Sequence, residues 1–299
     1  EVFMKMVNYR ETLELLYETP PDLSLELGFQ RDAARKIVEK IRKKNRTELN
    51  ESESKQLLAC YGIPVNSGKT AKTEDEAAAF ALELGLPVVM KIESPDIWHK
   101  SDVNGVRLGL ESESDVRRAY HSLLENVQKK RPDVRIEGVS VEKMWDVQHE
   151  LLIGAVKDAV FGPVIVFGLG GSATEIWQDR AIALPPLNLA LAKHLIEGTK
   201  ISHLLHGYRH LPAVPMEFLQ NILCRFAYFL MDFPDIREID INPFAMNADG
   251  GIALDAAITL ERDPGKQREP FSHLSILPYP TQWIKKVQLR NGTKVLLRP

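Results

Sequence analysis

Up to about Lys130, helical and strand-like patterns alternate along this chain; beyond it, four strand-like runs follow one another before the next helical pattern. The first part carries a helix over Glu51–Tyr61, a strand over Pro64–Thr70 and a helix opened by the capping box of Thr73 and Glu76 and closed by Gly85. Strands over Pro87–Ile92 and Val106–Leu110 follow, then a helix capped by Ser114 that runs to about Lys130. The second part carries strands over Val134–Lys143, Glu150–Lys157, Pro163–Gly168 and Glu175–Leu184. Helical patterns over Leu187–Ile196 and Met216–Met231 lead to two last strands, Ile236–Met246 and Gly251–Leu260, joined by the turn signal Asn247-Ala248-Asp249-Gly250. Parallel strands need a long crossover between them, whereas short connections join antiparallel neighbours. The chain is therefore expected to be α+β or mixed α/β, built in lobes, and not one doubly wound parallel sheet.

Size and charge narrow the function classes. The 299 residues are 44% hydrophobic and 26% charged, which suits about two globular domains and excludes disorder, collagen and a disulfide scaffold. With 38 Lys and Arg against 41 Asp and Glu the net charge is -3, so bulk electrostatics favour small ligands over nucleic acid. Cys60 and Cys224 each sit in a helix-like apolar pattern and read as reduced thiols of a cytoplasmic protein. The most apolar stretch, Ala159–Gly171, is broken by Gly162, Pro163 and Gly168 and falls short of the roughly 18 residues of a membrane span, so no membrane is expected. Between Arg31 and Arg46, eight basic residues accompany an apolar stripe at Ala34, Ile37, Val38 and Ile41. Such a basic amphipathic helix suits a solvated face better than a membrane or partner surface.

Gly62–Thr70 reads GIPVNSGKT and mimics a phosphate-binding P-loop. Five residues separate Gly62 from Gly68 where four are required, and the helix precedes the loop instead of following it, so the pattern is discarded. More telling is Lys91, inside the apolar run Pro87-Val88-Val89-Met90-Lys91-Ile92. Burying an ammonium is costly without an anionic partner, and a phosphate is one such partner. A strand-end lysine that reaches solvent is the other reading. The run His99-Lys100-Ser101-Asp102-Val103-Asn104-Gly105-Val106 then places a second lysine, a hydroxyl and a glycine in one loop able to fold over phosphoryl oxygens. Near the far end Asp240, Asn242 and Asp255 are hard oxygen donors of the kind Mg²⁺ prefers, and Asp240 and Asn242 share one strand face. A hairpin centred between Ala248 and Asp249 sets Asn242 directly opposite Asp255. The same alternation also fits exposed hairpin charges over a buried set of Ile239, Ile241, Leu254 and Ala256.

Taken in order, VVMKI, HKSDVNGV, VEKM to HELLIG, FGPVIVFGLGG, EIDINP and IALDAAI resemble the ATP-grasp domain of nucleoside-diphosphate-forming acyl-CoA synthetases, a family related to the β subunit of succinyl-CoA synthetase. The match runs from about Arg31 to Arg262. Tyr279-Pro280, Trp283 and VQLRNGTKVLLRP resemble the linker and first strand of a Gcn5-related acetyltransferase, and Val2–Thr19 resembles the tail of a CoA-binding, synthetase-like domain. This order is similar to that of bacterial protein lysine acetyltransferases with a synthetase-like region. The chain opens on Glu1 and stops on Arg298-Pro299, and reads as the ATP-grasp portion of something longer. The resemblance implies an ATP-grasp fold whose two lobes clasp a nucleotide. Residues 1–20 would be the tail of the preceding domain, 21–30 a linker, and 263–299 the linker and first strand of the following domain. The ATP-grasp domain would take 31–262, with a small lobe at about 60–143 and a large lobe at about 31–59 and 144–262.

The resemblance also implies roles. Lys91 would bind nucleotide phosphates, and Lys100, Ser101, Gly105 and Val106 would form the loop that closes on them. Glu142, Lys143 and Met144 would be the hinge beside the adenine, and Glu150 would accept hydrogen bonds from the ribose hydroxyls. Asn242 and Asp255 would hold Mg²⁺, with Asp240 nearby. His99 would receive a phosphoryl group beside the nucleotide, covalent capture splitting one long transfer into two in-line steps. A histidine merely hydrogen-bonded in the loop fits the same position. One departure stands out: the family usually has Gly-Gly where this chain has Asn104-Gly105, and a side chain there obstructs close backbone approach.

The implied cofactors are ATP and Mg²⁺, and the implied function is part of an ADP-forming acyl-CoA (acetyl-CoA) synthetase with phosphoryl transfer through histidine. The alternative is a catalytically silent nucleotide-binding or architectural module that regulates an attached lysine acetyltransferase. A carboxylate–amine ligase is a third class, against which the HKSD and FGP motifs speak. Expected partners are the nucleotide and the CoA-binding and acetyltransferase domains of the same parent chain, with a homo-oligomer allowed.

Overall fold

Two separate apolar cores divide the chain, one collecting residues from Ala71 to Val141 and the other residues on both sides of that span. The computed structural model describes residues 28–97, 100–171, 178–263, 271–278, 285–289 and 293–297. Helix α1 (Arg31–Lys43) buries the stripe Ala34, Val38 and Ile41 in the larger core. Its charges are put to local use, since Arg31 reaches Asp232 at 2.6 Å and Arg42 reaches Asp235 at 2.8 Å. Strand β1 (Glu48–Leu49) is too short to leave a periodic signal. Helix α2 (Glu51–Ala59) starts at a capping box in which Asn50 accepts from the Glu53 backbone N–H at 2.8 Å and Glu53 accepts from that of Asn50 at 3.0 Å. Cys60, Tyr61 and Ile63, expected in the smaller lobe, pack in the larger core.

The smaller lobe is a four-stranded antiparallel sheet with two helices against it. Strands β2 (Gly68–Ala71), β3 (Val88–Glu93), β4 (Val106–Leu110) and β5 (Gly138–Lys143) lie in the order β2-β5-β3-β4. No helix directly follows Gly62–Thr70, so the P-loop reading stays discarded. Thr73 caps α3 (Glu74–Leu84), and Gly85 ends it in the left-handed region at φ 82°. The Glu76 carboxylate accepts from the Lys72 N–H, so only one arm of the expected capping box forms. Helix α4 (Glu113–Lys130) is capped by Ser112 and not by Ser114: the extended backbone of Ser112 lets its hydroxyl accept from the Asp115 N–H at 3.2 Å.

The larger lobe carries a seven-stranded sheet. Strands β6 (His149–Asp158) and β7 (Gly162–Leu169) form a hairpin whose turn is tied by Asp158, which accepts from the N–H groups of Val160 and Phe161. Strand β8 (Arg180–Ala183) is shorter than the expected Glu175–Leu184, of which 175–177 lie outside the described residues. Helices α5 (Leu189–Glu197), α6 (Ser202–Leu205) and α7 (Met216–Asp232) follow, α7 burying Leu219, Leu223, Phe226 and Phe229. Strands β9 (Ile236–Asn247), β10 (Gly250–Ala253) and β11 (Ala257–Leu260) complete a sheet ordered β1-β11-β9-β6-β7-β8, with β10 also on β9. The single strand expected over Gly251–Leu260 is thus two, because Pro243 opposite the break has no N–H to give the ladder.

Past residue 270, Leu274 packs on Tyr228 and Met231 of α7. Strands β12 (Lys285–Gln288) and β13 (Lys294–Leu297) pair antiparallel, so the run expected to hold one strand holds a hairpin. Cys60 and Cys224 are free and buried, and burial pushes the Cys224 thiol up to about 12. Among the described residues no helix is long and apolar enough to cross a membrane.

Candidate functional site

Lys91 leaves the middle of β3 toward the larger lobe and is 7% exposed. Its Nζ donates to Glu51 Oε1 at 2.9 Å, Glu142 Oε2 at 3.1 Å and the Leu254 carbonyl at 2.6 Å. The anionic partners demanded by burial are therefore carboxylates from both lobes, and not solvent. An ammonium has three donors, and all are taken. Lys55, one turn along α2 from Glu51, donates to Glu51 Oε1 at 2.7 Å and Glu142 Oε1 at 2.9 Å. Lys100, in the 3₁₀ turn Lys100–Val103, donates to Glu51 Oε2 at 2.7 Å and stands 3.8 Å from Asp255.

Electrostatics follow from this packing. Burial pushes the Glu51 carboxyl up, but Lys91, Lys55 and Lys100 outweigh it and hold the group well below the usual carboxylate range. Burial pushes the Lys91 and Lys100 ammoniums down, and the facing carboxylates outweigh that and hold both above an ordinary lysine. Asp255 is pushed up by burial and by the nearby Glu51 carboxylate. Three ammoniums against Glu51 and Glu142 leave an excess of positive charge that Asp255 faces from across the lobe boundary.

The β9–β11 connection supplies the oxygen donors. The hairpin register expected from the turn holds on both sides of the break, with Phe244 opposite Ala253 and Asp240 opposite Ala257. Asn242 and Asp255 fall in the gap between these pairs and are not ladder partners. Ile239 and Ile241 are buried, leaving Asp240 and Asn242 on the opposite, half-buried face. Asn242 Oδ1 accepts from the Gly171 N–H at 2.7 Å, and the Asp255 carboxylate accepts from the Ala256 N–H at 2.8 Å. Among the described residues no group of three His, Cys, Asp or Glu side chains is placed to hold a metal. An Asn–Asp oxygen pair fits Mg²⁺ nonetheless, since this ion keeps waters and shares phosphate oxygens with one or two carboxylates.

The remaining expected residues, His99 apart, lie on β4, β5, β6 and the turns beside them. Glu142 is 2% exposed and its side chain is held by Lys55, Lys91, Ser140 and Asn66, so only backbone at this point is left for a hinge. Lys143 is exposed, its carbonyl accepts from Asn66 at 3.1 Å, and the Met144 N–H donates to the Pro87 carbonyl at 3.1 Å. Exposed Glu150 lies on β6, its carbonyl accepting from the Gly170 N–H. Ser101 is exposed, Gly105 is buried and Val106 half-buried. A Cβ at Gly105 would stand 2.9 Å from the Lys100 carbonyl, so this glycine is required by close approach. Asn104 takes the left-handed conformation, φ 53°, which asparagine tolerates better than most side chains. His99 lies outside the described residues. A cavity of about 550 Å³ opens beside the cluster, lined among others by Arg46, Asn50, Glu51, Lys100, Arg135 and Asp255.

Residues 40–260 match the family described as ATP-grasp domain. The chain is 38% identical over 227 residues to the β subunit of ADP-forming acetate–CoA ligase I of Pyrococcus furiosus, covering 76% of this chain and 97% of that subunit. A chain of acetyl-coenzyme A synthetase 1 of Ca. Korarchaeum cryptofilum, solved with coenzyme A, Ca-AMPCP and HgCl+, superposes with a TM-score of 0.74 at 38% identity, over 76% of this chain and 100% of that one. The chain belongs to the ATP-grasp domains of the ADP-forming acetyl-CoA synthetase β-subunit family. Its two lobes are those of the ATP-grasp fold. Another structure of the same synthetase, at 35% identity and TM-score 0.67 over 76% of this chain and 100% of that one, holds coenzyme A and Mg-AMPPCP. Against the single-chain ADP-forming acetate–CoA ligase I of Archaeoglobus fulgidus this ATP-grasp domain is 34% identical over 236 residues, 79% of this chain but 34% of the relative.

Glu51, Lys55, Asn66 and Ser140 of the cluster escaped the sequence reading. Glu51 and Lys55 look there like an ordinary i,i+4 helix pair, and Asn66 like a loop residue. The available signal was Lys91 itself, which required buried anions that had to come from somewhere.

Proposed function

We propose that this ATP-grasp domain binds Mg-ATP in the cleft between its lobes and serves the phosphoryl-transfer half of an ADP-forming acyl-CoA synthetase, acting on acetate or a related acid in the parent enzyme. The observation that supports this reading is the approach of Lys91 and Lys100 from one lobe to Glu51 and Asp255 of the other, with Lys100 3.8 Å from the Asp255 carboxylate. Lys91 and Lys100 would take the phosphates, with Ser101, Gly105 and Val106 closing over them. Backbone of Glu142, Lys143 and Met144 would line the adenine, and Glu150 would accept from the ribose. Asn242 and Asp255, with Asp240 behind them, would hold Mg²⁺, which when bound screens phosphate charge.

A histidine carrier suits separated sites. A ring nitrogen of His99 forms the new P–N bond, the bond from the γ-phosphorus to the bridging oxygen breaks, and ADP leaves with that electron pair. The motif HKSD supports this assignment. The partners in this reading are the CoA-binding and acetyltransferase domains of one parent chain, and the cytoplasm is the compartment. Saturation of the Lys91 donors supports the alternative, a catalytically silent nucleotide-binding or architectural module that regulates an attached lysine acetyltransferase.

Calorimetric titration with ATP, with and without Mg²⁺, tests the site. Binding is expected to need Mg²⁺ and to weaken about tenfold or more in Asp255→Ala; equal affinity in the variant removes Asp255 from the site. For the carrier, γ-labelled ATP should leave acid-labile label on the protein that disappears in His99→Ala. Equal labelling would remove His99 from the mechanism.

A further inference from the structure

The three acceptors around Lys91 and the shared carboxylate of Glu51 bear on how a phosphate chain gains entry. If Lys91 is to bond a phosphoryl oxygen, one of its present partners must leave. Glu142 is pinned by Lys55, Ser140 and Asn66 as well, and the Leu254 carbonyl belongs to the β10–β11 connection. Glu51 is the less pinned carboxylate, since apart from Lys91 and Lys100 only Lys55 holds it, at 2.7 Å. It sits in the first turn of α2, where a carboxylate is favoured.

Glu51 also has the geometry of a substitute. Its two oxygens take one of these lysines each, as two oxygens of a phosphate could, Oε1 taking Lys91 at 2.9 Å and Oε2 taking Lys100 at 2.7 Å. The cavity of about 550 Å³ reaches Glu51, Lys100 and Asp255 together, so an anion entering there meets the Glu51–Lys100 side of this arrangement. A carboxylate kept between the two lysines would face the phosphate as a like charge in a poorly hydrated site, where repulsion is strong.

We propose that Glu51 is an affinity-setting residue that stands in for phosphate: it holds Lys91 and Lys100 before a phosphate chain enters and yields both when one does. This rests on the reading of the cleft as an Mg-ATP site, and deepens it. The consequence is that the wild-type domain discriminates less strongly between ATP and adenosine than its lysines alone would allow.

The test compares Mg-ATP and adenosine binding to the wild-type 299-residue chain and to Glu51→Gln, which keeps side-chain size and the start of α2. The variant is expected to bind Mg-ATP about tenfold tighter, with adenosine affinity unchanged. Equal or weaker Mg-ATP binding by a folded variant, with wild-type binding intact, overturns the inference and leaves the Mg-ATP site standing. No Mg-ATP binding by either protein overturns both. Should Glu51→Gln not fold, a crystal structure of the wild-type chain with Mg-AMPPCP decides. Lys91 and Lys100 are expected on phosphate oxygens and beyond about 4 Å from Glu51; retention of both contacts to Glu51 beside bound nucleotide overturns the inference.

Discussion

Two assemblies of acid and base tie this domain together, one half-buried and one buried, and they are built differently. Behind the large sheet, Asp232 accepts from Arg31 Nε at 2.6 Å and from the Tyr61 hydroxyl at 2.7 Å. The Tyr61 ring is packed by Phe29, Phe229 and Phe233, with centroids 4.8, 5.0 and 6.0 Å away. Burial, then the facing carboxylate, push the Tyr61 phenol up, so it stays a neutral donor. One anion meets one cation and one neutral donor, within one lobe. At the front, three ammoniums from two lobes share the carboxylates of Glu51 and Glu142 and face Asp255 beside an open cavity. The lesson is that a closed, locally balanced pair serves stability. A shared assembly that spans a boundary and adjoins a cavity is arranged to exchange partners.

The comparison breaks if the rear assembly reports on ligand. Asp232→Ala removes the acceptor of both Arg31 and Tyr61 and leaves the hydroxyl buried among aromatic rings. A loss of about 2 kcal/mol is expected in urea unfolding, below the range of fully buried ion pairs because the Arg31 and Asp232 side chains are 29% and 17% exposed. Mg-ATP affinity of the folded variant should be unchanged. A shift beyond about threefold would couple the rear of the large lobe to the cleft and dissolve the distinction drawn above.

How much of this could be seen in the sequence follows the same division. Local rules placed α2, α3, α4 and α7 within a few residues, since an apolar stripe, a cap or both are written within each segment. The hairpin register was legible because one turn sets it, and it holds up to the gap at Asn242 and Pro243, where a residue without an N–H interrupts the ladder. Lys91 was legible as a buried charge in need of an anion. Which anion was not, because Glu51 is 40 residues away and Glu142 51 residues away, and only tertiary packing brings them to it. The Ser112 cap was missed by two residues because Ser112 and Ser114 offer the same chemistry, and backbone conformation chooses between them.

The front assembly can also be probed without touching a charge. Gly171 stands at φ 72°, and its N–H donates to Asn242 Oδ1 at 2.7 Å. A Cβ there would lie 1.8 Å from Glu150 Oε2, so Gly171→Ala must drive the Glu150 carboxylate aside. The backbone strain is expected to cost about 1 kcal/mol in unfolding. The larger consequence falls on the ligand: Mg-ATP binding should weaken about tenfold, the loss expected when a carboxylate can no longer accept from both ribose hydroxyls. The diagnostic ligand is 2′,3′-dideoxy-ATP, which offers no hydroxyls to Glu150. Wild type should prefer ATP to it, and Gly171→Ala should bind the two nearly alike. If the variant keeps the wild-type preference, the ribose is read elsewhere. If it loses the preference with Lys91, Lys100 and Asp255 untouched, then the cleft reads the ribose through a carboxylate whose place the bare Gly171 backbone sets, a device the rear assembly has no use for.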